Sequence, residues 1–379
     1  MEKDSLRVSP QKRLYSLDVL RGLDMFMLVG GASLLVKLAE LTGADVTGLH
    51  QTLMRHAEWE GFRIHDLIFS LFMFISGVAI PYSLETKLEN QVPRKALIIK
   101  IFKRMILLIV LGMLYNGVFR DGFKDGRIAS VLGQIGIAYF FASLIVMGTS
   151  SIRSRIIWFV SILTGVSIIQ LFIPVPDVGA GVLTPEGCIN GYIDRHILPG
   201  RLHKDIFDPE GILCNISAIG ITLMGAITGD ILRHEKLNTQ RKLGYLVLAG
   251  VAGIILALLL SPVYPVIKKC WTTTFNLLAG GISVLLMVFF YLIIDHWKFK
   301  NWAFFLRVFG MNALFVYLLN HMVNISEINK FIFGWLSEPL GLISMPYGDI
   351  RDVFFSISRL ALINLLLYYM YLKKIFIRV

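Results

Sequence analysis

The sequence is poor in charged residues and in cysteine. Only 17% of its 379 residues are charged, whereas 55% are hydrophobic. A soluble globular protein usually carries about a quarter charged residues. The shortage extends along the whole chain, and no soluble domain is visible. The three cysteines, Cys188, Cys214 and Cys270, lack the spacing of metal ligands, so the sequence predicts neither a metal site nor a disulfide framework.

Apolar runs recur from end to end. Their length of roughly 20 residues is the length at which an α-helix crosses a bilayer, whereas barrel strands would be short and alternating. The sequence therefore predicts an all-α polytopic integral membrane protein, a single domain over 1–379 with about ten transmembrane helices. A polar, basic start before a long apolar run predicts no cleavable signal peptide. The expected spans are 17–39, 63–86, 97–118, 129–149, 154–174, 212–232, 243–262, 272–294, 302–323 and 353–372.

Lys and Arg are distributed unevenly between these spans. The connections on one side hold 21 of them, and those on the other hold 12 in a longer total sequence. Basic residues concentrate on the cytoplasmic side, so both termini are expected in the cytoplasm and the loops 40–62, 176–211 and 324–352 outside. Topology then explains the net charge of +11, and nucleic acid is not an expected partner. The lack of a convincing internal repeat weakens a transporter interpretation.

Three ionisable residues lie inside the first predicted span. Asp18, Arg21 and Asp24 are spaced three apart, and residues at that spacing share a helical face, so Asp18 and Arg21 can pair. Charges within a membrane span are functional candidates. A structural ion pair and a ligand site are both open at this point.

The densest cluster of reactive groups is His56-Ala-Glu-Trp-Glu-Gly61, followed by His65 and Asp66. It falls at the outer mouth of the second span. Histidine suits proton transfer or brief acyl carriage at neutral pH, and a neighbouring carboxylate such as Asp66 can orient its ring. Trp59 is equally suited to anchoring the chain in the interface. We expect His65 to be an ordinary loop residue.

Further polar groups lie in the later loops and spans. Gly191–Arg195 and Asp208–Gly211 carry aspartates beside Gly or Pro, which form turns and also accept hydrogen bonds from sugar hydroxyls. Asn312 needs a partner in hydrocarbon, either another helix or a ligand. Among the basic residues of the cytoplasmic rim, Arg104 lies deepest and is the best candidate to hold a phosphate.

These segments together resemble the heparan-α-glucosaminide N-acetyltransferase family, a branch of the transmembrane acyltransferases. The resemblance is collinear and covers nearly the whole chain. It rests on Arg13-Leu-Tyr-Ser-Leu-Asp18 with Arg21-Gly22, His56-Ala-Glu-Trp59 with Gly61 and Asp66-Leu-Ile-Phe69, Val131-Leu-Gly-Gln-Ile-Gly136 with Tyr139, Pro174-Val-Pro176, Gly191-Tyr-Ile-Asp-Arg195, Asp208-Pro-Glu-Gly-Ile-Leu213, Lys268-Lys-Cys-Trp-Thr272, and Gly310-Met-Asn312 with Val316-Tyr317.

The resemblance implies transfer of an acetyl group from cytosolic acetyl-CoA to the amino group of a terminal glucosamine on the far side of the membrane. It implies catalysis at His56, with Asp66 beside it, and no metal. The residues expected to hold acetyl-CoA are Arg104, Lys103, Trp271 and Asn312. The residues expected to contact the acceptor are Trp59, Asp194, Arg195, Asp208 and Glu210. A homodimer in the lipid bilayer is a further expectation.

The sequence also departs from the animal enzymes of that family. It has Val29-Gly-Gly-Ala32 where they carry an asparagine, and its late histidine, His321, is shifted by one position. It has no counterpart of their N-terminal luminal region, so we expect a bacterial inner membrane with the active site toward the periplasm. A sugar O-acetyltransferase stays open as an alternative. The competing class is a transporter for a sugar or lipid-linked sugar, and intramembrane charges disfavour a third class, a structural scaffold.

Overall fold

The fold is built from helices. The computed structural model describes residues 14–343 and 346–377, and within them β pairing is limited to two isolated bridges. Together with the long apolar helices, this confirms the prediction of an all-α polytopic membrane protein. Arg13, the first residue of the resemblance, lies outside the described residues.

Ten helical segments follow the ten predicted spans. In chain order they are α1 (Tyr15–Glu40), α2 (Ile64–Glu89), α3 (Arg94–Tyr115), α4 (Val131–Gly148), α5 (Ile152–Phe172), α6 (Ile212–Arg233), α7 (Thr239–Leu260), α8 (Thr273–His296), α9 (Asn301–Met311 and Ala313–Met322) and α10 (Ile350–Leu372). Eight of them are long and apolar enough to cross a membrane as single helices. The two halves of α9 meet at 66°, and α3 carries five basic residues.

The helices divide into a buried group and a lipid-facing group. The most apolar window is 72% buried in α6 and 67% buried in α2, but only 17% buried in α7. Helix α6 packs against α2, α4, α5 and α8 and so forms the centre of the bundle. Helices α5, α7 and α10 therefore present most of their apolar side chains to lipid.

Helix α1 is held closely against the first half of α9. A Cβ atom added to Gly22 would lie 1.7 Å from the carbonyl oxygen of Leu306, and one added to Gly310 would lie 1.8 Å from that of Asp18. These two glycines thus permit a backbone approach that any side chain would block. The N-terminus of α1 is capped from α8, because the Asp295 carboxylate accepts the backbone N–H groups of Tyr15 and Ser16 at 3.2 and 3.0 Å.

Alternate connections meet at the same end of the bundle, as the predicted spans require. At one end, here called the His56 face, the loop after α1 bonds to the loops after α5 and α7 through Trp59 and Gly61. At the opposite face, Arg155 of α5 pairs with Glu85 of α2 and Asp230 of α6. The fold thereby separates two sets of loops by the thickness of the bundle.

Candidate functional site

The segment that carries His56 is fixed by contacts with two other loops. It follows the short helix Thr47–Met54 and precedes α2. The Trp59 indole donates to the carbonyl oxygen of Leu183 at 2.6 Å, and the Gly61 amide donates to that of Val266 at 2.8 Å. Lys269 donates to the carbonyl oxygen of Glu58. The position of His56 is therefore set by long-range contacts in addition to its bond with the helix that follows.

His56 and Asp66 form a hydrogen-bonded pair. Nδ1 of His56 lies 2.8 Å from Oδ1 of Asp66, and the other oxygen of the buried Asp66 accepts the backbone N–H groups of Ala57 and Arg63 at 3.2 and 3.0 Å. With Nδ1–H donated to this carboxylate, Nε2 is the unprotonated nitrogen of a neutral ring. The His56 side chain is 50% exposed, against 1% for Asp66. A half-exposed imidazole on a fixed carboxylate can act as a base or as an acyl carrier.

Lys268 is the third member of this group. Its Nζ lies 3.1 Å from Nδ1 of His56 and 3.5 Å from Oδ1 of Asp66. Burial lowers the pKa of Lys268, although the nearby Asp66 and Glu210 oppose that shift. The ammonium helps to hold a buried negative charge beside the imidazole.

His65 differs from the expectation of a loop residue. It lies in the first turn of α2, and its ring centroid is 4.4 Å from that of His56. The two ring planes are tilted by 46° to each other. His65 is thus a packing neighbour of His56 and faces the same cavity.

A cavity of about 220 Å³ opens beside His56. We call it the His56 cavity. Its polar lining comes from α1, α2, α3 and α9 and from three loops. The polar and charged residues that line it are Asp24, His56, His65, Tyr115, Glu210, Lys268 and Tyr317.

A second cavity, of about 420 Å³, opens nearer the opposite face. We call it the Arg104 cavity. The guanidinium of Arg104 lies 3.9 Å from the ring centroid of Tyr139, and its Nε has no hydrogen-bond partner in the described part of the chain. Asp18 and Arg21 line the same cavity and approach each other to 3.7 Å. Lys103, by contrast, is exposed on the outside of α3.

The two cavities meet near the middle of the bundle. Four apolar residues line both of them: Phe72, Leu132, Ile135 and Leu314. These four residues form the division between the two cavities, and we call the two adjoining cavities together the passage. Arg104 and His56 stand on opposite sides of this division.

Two residues that we expected to contact acetyl-CoA instead contact other parts of the protein. Trp271 is 1% exposed and packs edge-on against Phe69 and Phe275. Asn312 lies at the bend of α9 and bonds the chain after α10, because it donates to the carbonyl oxygen of Ile375 at 3.2 Å and accepts the amide of Ile377 at 2.9 Å. The partner that Asn312 needs in hydrocarbon is therefore a backbone segment.

The loop carboxylates form a buried network below the His56 face. Arg127 pairs with Asp208 and Glu210. Burial alone would lower the pKa of Arg127, but its hydrogen bonds and charge contacts with both carboxylates raise it. Asp194 accepts the amides of Asp208 and Ile212 at 3.3 and 2.9 Å. Burial raises the pKa of Asp194 to about 6 against these two bonds.

The residues that we expected to contact the acceptor differ in their access to the His56 cavity. Glu210 lines the His56 cavity, whereas Asp194 and Asp208 have no exposed surface. Arg195 is exposed but donates to the carbonyl oxygen of Ile206 at 2.7 Å. Trp59 is half-buried and packs edge-on to Phe207, with ring centroids 5.0 Å apart.

Sequence reasoning did not assign roles to several residues of the site. Lys268 was noted only within a motif, and Arg127 was not singled out because its partners lie more than 80 positions away. Tyr115 stacks on both Tyr317 and His321, with centroid distances of 4.9 and 3.8 Å. No local pattern in the sequence joins the end of α3 to α9.

Comparison with known proteins bears on the same residues. A family model described as a domain of unknown function (DUF5009) matches residues 13–119. The heparan-alpha-glucosaminide N-acetyltransferase of the mouse, Mus musculus, is 25% identical over 425 residues, which cover 98% of this chain and 61% of the mouse protein. This chain is thus similar to that acetyltransferase over nearly its whole length.

The human (Homo sapiens) heparan-alpha-glucosaminide N-acetyltransferase is similar to the same degree. It is 26% identical over 378 residues, 85% of this chain and 54% of the human protein. The resemblance to this family is thereby confirmed. The chain spans between about half and three fifths of the length of these acetyltransferase relatives. The family model, which matches residues 13–119, includes His56, Asp66 and Arg104.

Proposed function

We propose that this chain is a membrane acetyltransferase. It moves an acetyl group from acetyl-CoA, bound from the opposite face, to the amino group of a glucosamine-type sugar at the His56 face. The observation that carries the proposal is the pair of adjoining cavities, one with a histidine–carboxylate pair and one with a cation free to meet phosphate. The acetyltransferase relatives supply the reaction class.

The donor end of the proposal rests on Arg104. Acetyl-CoA is an anion with a long, flexible pantetheine arm. A guanidinium already stacked on Tyr139, with Nε still unpaired in the described residues, suits a phosphate. The arm would then reach toward His56 once the apolar side chains shared by the two cavities move aside. We place Lys103, which faces outward, at the rim of this site.

The acceptor end rests on His56. The nitrogen of the neutral acceptor amine would bond to the acetyl carbon and lose a proton to Nε2 of His56. The carbon–sulfur bond breaks, and the proton passes from His56 to the leaving thiolate. In a second version His56 itself carries the acetyl group in between. In both, Asp66 holds the ring, and Trp59 and Glu210 border the acceptor.

The direct test uses purified protein in detergent with labelled acetyl-CoA. A panel of glucosamine, glucose and terminal-glucosamine oligosaccharides separates transfer to nitrogen from transfer to oxygen. We expect an N-acetylated product and a thermal stabilisation of about 2.7 kcal/mol at a hundred times the dissociation constant of the donor. Protein that is not stabilised by coenzyme A or acetyl-CoA at millimolar levels would contradict the enzyme proposal and leave the sugar transporter as the better alternative.

We further propose that the His56 face lies outside a bacterial inner membrane, supported by the excess of Lys and Arg on the opposite face. Cysteines introduced at Asn90 and Asn238 should be shielded from an impermeant thiol reagent in intact cells. One introduced at Gly181 should be labelled. The reverse pattern would place His56 in the cytosol.

We also propose that the protein forms a homodimer in the bilayer. Cross-linking in native membranes tests this proposal.

A further inference from the structure

One face of α1 follows the whole passage. Leu14, which precedes the helix, and Leu17, Asp18 and Arg21 line the Arg104 cavity, and Asp24, Met25 and Leu28 line the His56 cavity. The spacing of three and four residues keeps them on a single face. Asp24 is therefore the first charged group of α1 on the His56 side of the division.

Asp24 has no partner in the described part of the chain. It is 2% exposed, and neither carboxylate oxygen has a hydrogen bond there. The other buried carboxylates of the spans are engaged: Asp66 with His56 and Lys268, and Asp230 with Arg155. Asp18, one turn and a half away on α1, approaches Arg21. The isolation of Asp24 is specific to its place on the cavity wall.

An unpaired carboxylate is costly at this depth. Hydrocarbon cannot solvate the charge, and intramembrane ionisable residues normally pair or face a functional cavity. Asp24 does face a cavity, so the missing partner can be a bound molecule. The acetyl donor is an anion and cannot supply it. An amino sugar, protonated at neutral pH, can.

We propose that Asp24 receives the ammonium group of the acceptor and takes its first proton, so that the site selects an amine over a hydroxyl. The inference rests on the proposed acetyl transfer and names the group that sets its acceptor class. Proton transfer from ammonium to carboxylate removes both charges from a weakly polar cavity. A hydroxyl can donate a hydrogen bond to Asp24 but brings no positive charge, so it gains less from Asp24 than an ammonium does.

The protons balance across two residues. An ammonium carries one proton more than the nucleophilic amine, and that proton goes to Asp24. The amine nitrogen then bonds to the acetyl carbon and loses a second proton to His56, which returns it to the departing thiolate. Asp24 releases its proton to water when the N-acetyl product leaves.

The test compares Asp24→Asn with wild type over a range of pH. The groups that face Asp24 across the cavity are His56, His65, Tyr115, Glu210, Lys268 and Tyr317. Their titration affects both proteins, so the ratio of the two kcat/KM values isolates Asp24. Only neutral amine should serve the variant, and its fraction falls about tenfold per pH unit below the pKa of the amine. We therefore expect kcat/KM of Asp24→Asn divided by that of wild type to fall as the pH is lowered. The KM of the variant for glucosamine near neutral pH should be about ten- to a hundredfold above that of wild type.

Two controls accompany the variant. Asp352→Asn removes an exposed carboxylate of α10 and should leave the KM for glucosamine unchanged. Stabilisation of Asp24→Asn by coenzyme A should equal that of wild type, because the donor site lies beyond the division. A pH-independent ratio with an unchanged KM would overturn the role of Asp24 while leaving acetyl transfer intact. A wild-type protein that binds coenzyme A but acetylates no amine would overturn both.

A measurement on the wild-type protein tests the proposal even if Asp24→Asn does not fold. Thermal stabilisation of wild type by glucosamine should exceed that by glucose, because glucose lacks the ammonium group. The difference should persist in the presence of coenzyme A. Equal stabilisation by the two sugars would contradict the proposal, whatever the fate of Asp24→Asn.

Discussion

The two cavities differ in how far their polar groups are already bonded. In the His56 cavity the imidazole is held by Asp66, with Lys268 beside it, and the carboxylate is anchored on two backbone amides. In the Arg104 cavity the guanidinium is stacked on Tyr139 but keeps an unbonded Nε among the described residues. We propose that the His56 end, called here the chemical end, carries out the transfer, and that the Arg104 end, called the donor end, completes its bonds with a ligand. Substitutions at the two ends should therefore separate turnover from donor binding.

The largest effect is expected at the chemical end. His56→Ala should fold, and coenzyme A should still stabilise it, because the donor site is beyond the shared apolar residues. Acetyl transfer should fall at least about a hundredfold, since a general base contributes about 10²–10⁴-fold. Single-turnover assays with labelled acetyl-CoA measure the loss.

His65→Ala is the matched control for this variant. Its ring packs at a tilt against that of His56 but has no bond to Asp66, so we expect a loss below about tenfold. Near-normal turnover in His56→Ala would contradict both the base and the carrier versions and make Asp66 the next candidate. Acid-quenched protein exposed to labelled donor alone tests the carrier version separately.

The second effect concerns the stability of the loops below the His56 face. Burial raises the pKa of Asp194 to about 6, above its ordinary value of 3.8. The folded state then binds more protons than the unfolded state between about pH 4 and 6, so the free energy of unfolding falls as the pH rises through that range. The fall is at most about 3 kcal/mol. Thermal unfolding in detergent from pH 4 to 7 measures it.

Asp194→Asn decides between a structural and a sugar-binding role. The variant should lose this part of the pH dependence, and with a structural role it should keep the KM for the acceptor. A raised KM with unchanged pH dependence would instead return Asp194 to the acceptor site, at the chemical end of the passage.

The sequence was sufficient for the fold class and for the local part of the site. Length and hydropathy predict the helices, and His56 and Asp66 are only ten positions apart, which makes that pair predictable from the sequence. Contacts between distant segments were not accessible in this way. Arg127 meets Asp208 from 81 positions away, and Asn312 meets Ile375 from 63. Polar residues in loops were interpreted as ligand groups because their backbone and side-chain partners became visible only in the folded chain.

The third effect belongs to the donor end. Arg104→Gln should weaken coenzyme A binding about ten- to a hundredfold, the loss of a hydrogen bond to a charged group, while turnover at saturating donor changes much less. Isothermal titration calorimetry with coenzyme A and with pantetheine, which lacks the phosphates, separates the contribution of the phosphates to binding. Lys103→Gln, one position away and exposed on the outside of α3, is the control and should lose under about threefold. Equal losses in the two variants would argue for a diffuse basic rim in place of a phosphate site.

The smallest effect tests how Arg104 is held. The ring of Tyr139 lies under the guanidinium at 3.9 Å, and a cation–π contact contributes about 0.5–1 kcal/mol at exposed sites and about 2 kcal/mol when desolvated. Tyr139→Leu should therefore weaken coenzyme A binding by about two- to thirtyfold, because Arg104 loses the surface that orients it. Tyr139→Phe keeps the ring and should bind the donor like wild type. If Tyr139→Phe and Tyr139→Leu weaken coenzyme A binding equally, the hydroxyl of Tyr139 matters and its ring does not. The donor end would then depend on a hydrogen bond to the ligand, as the chemical end depends on the bond between His56 and Asp66.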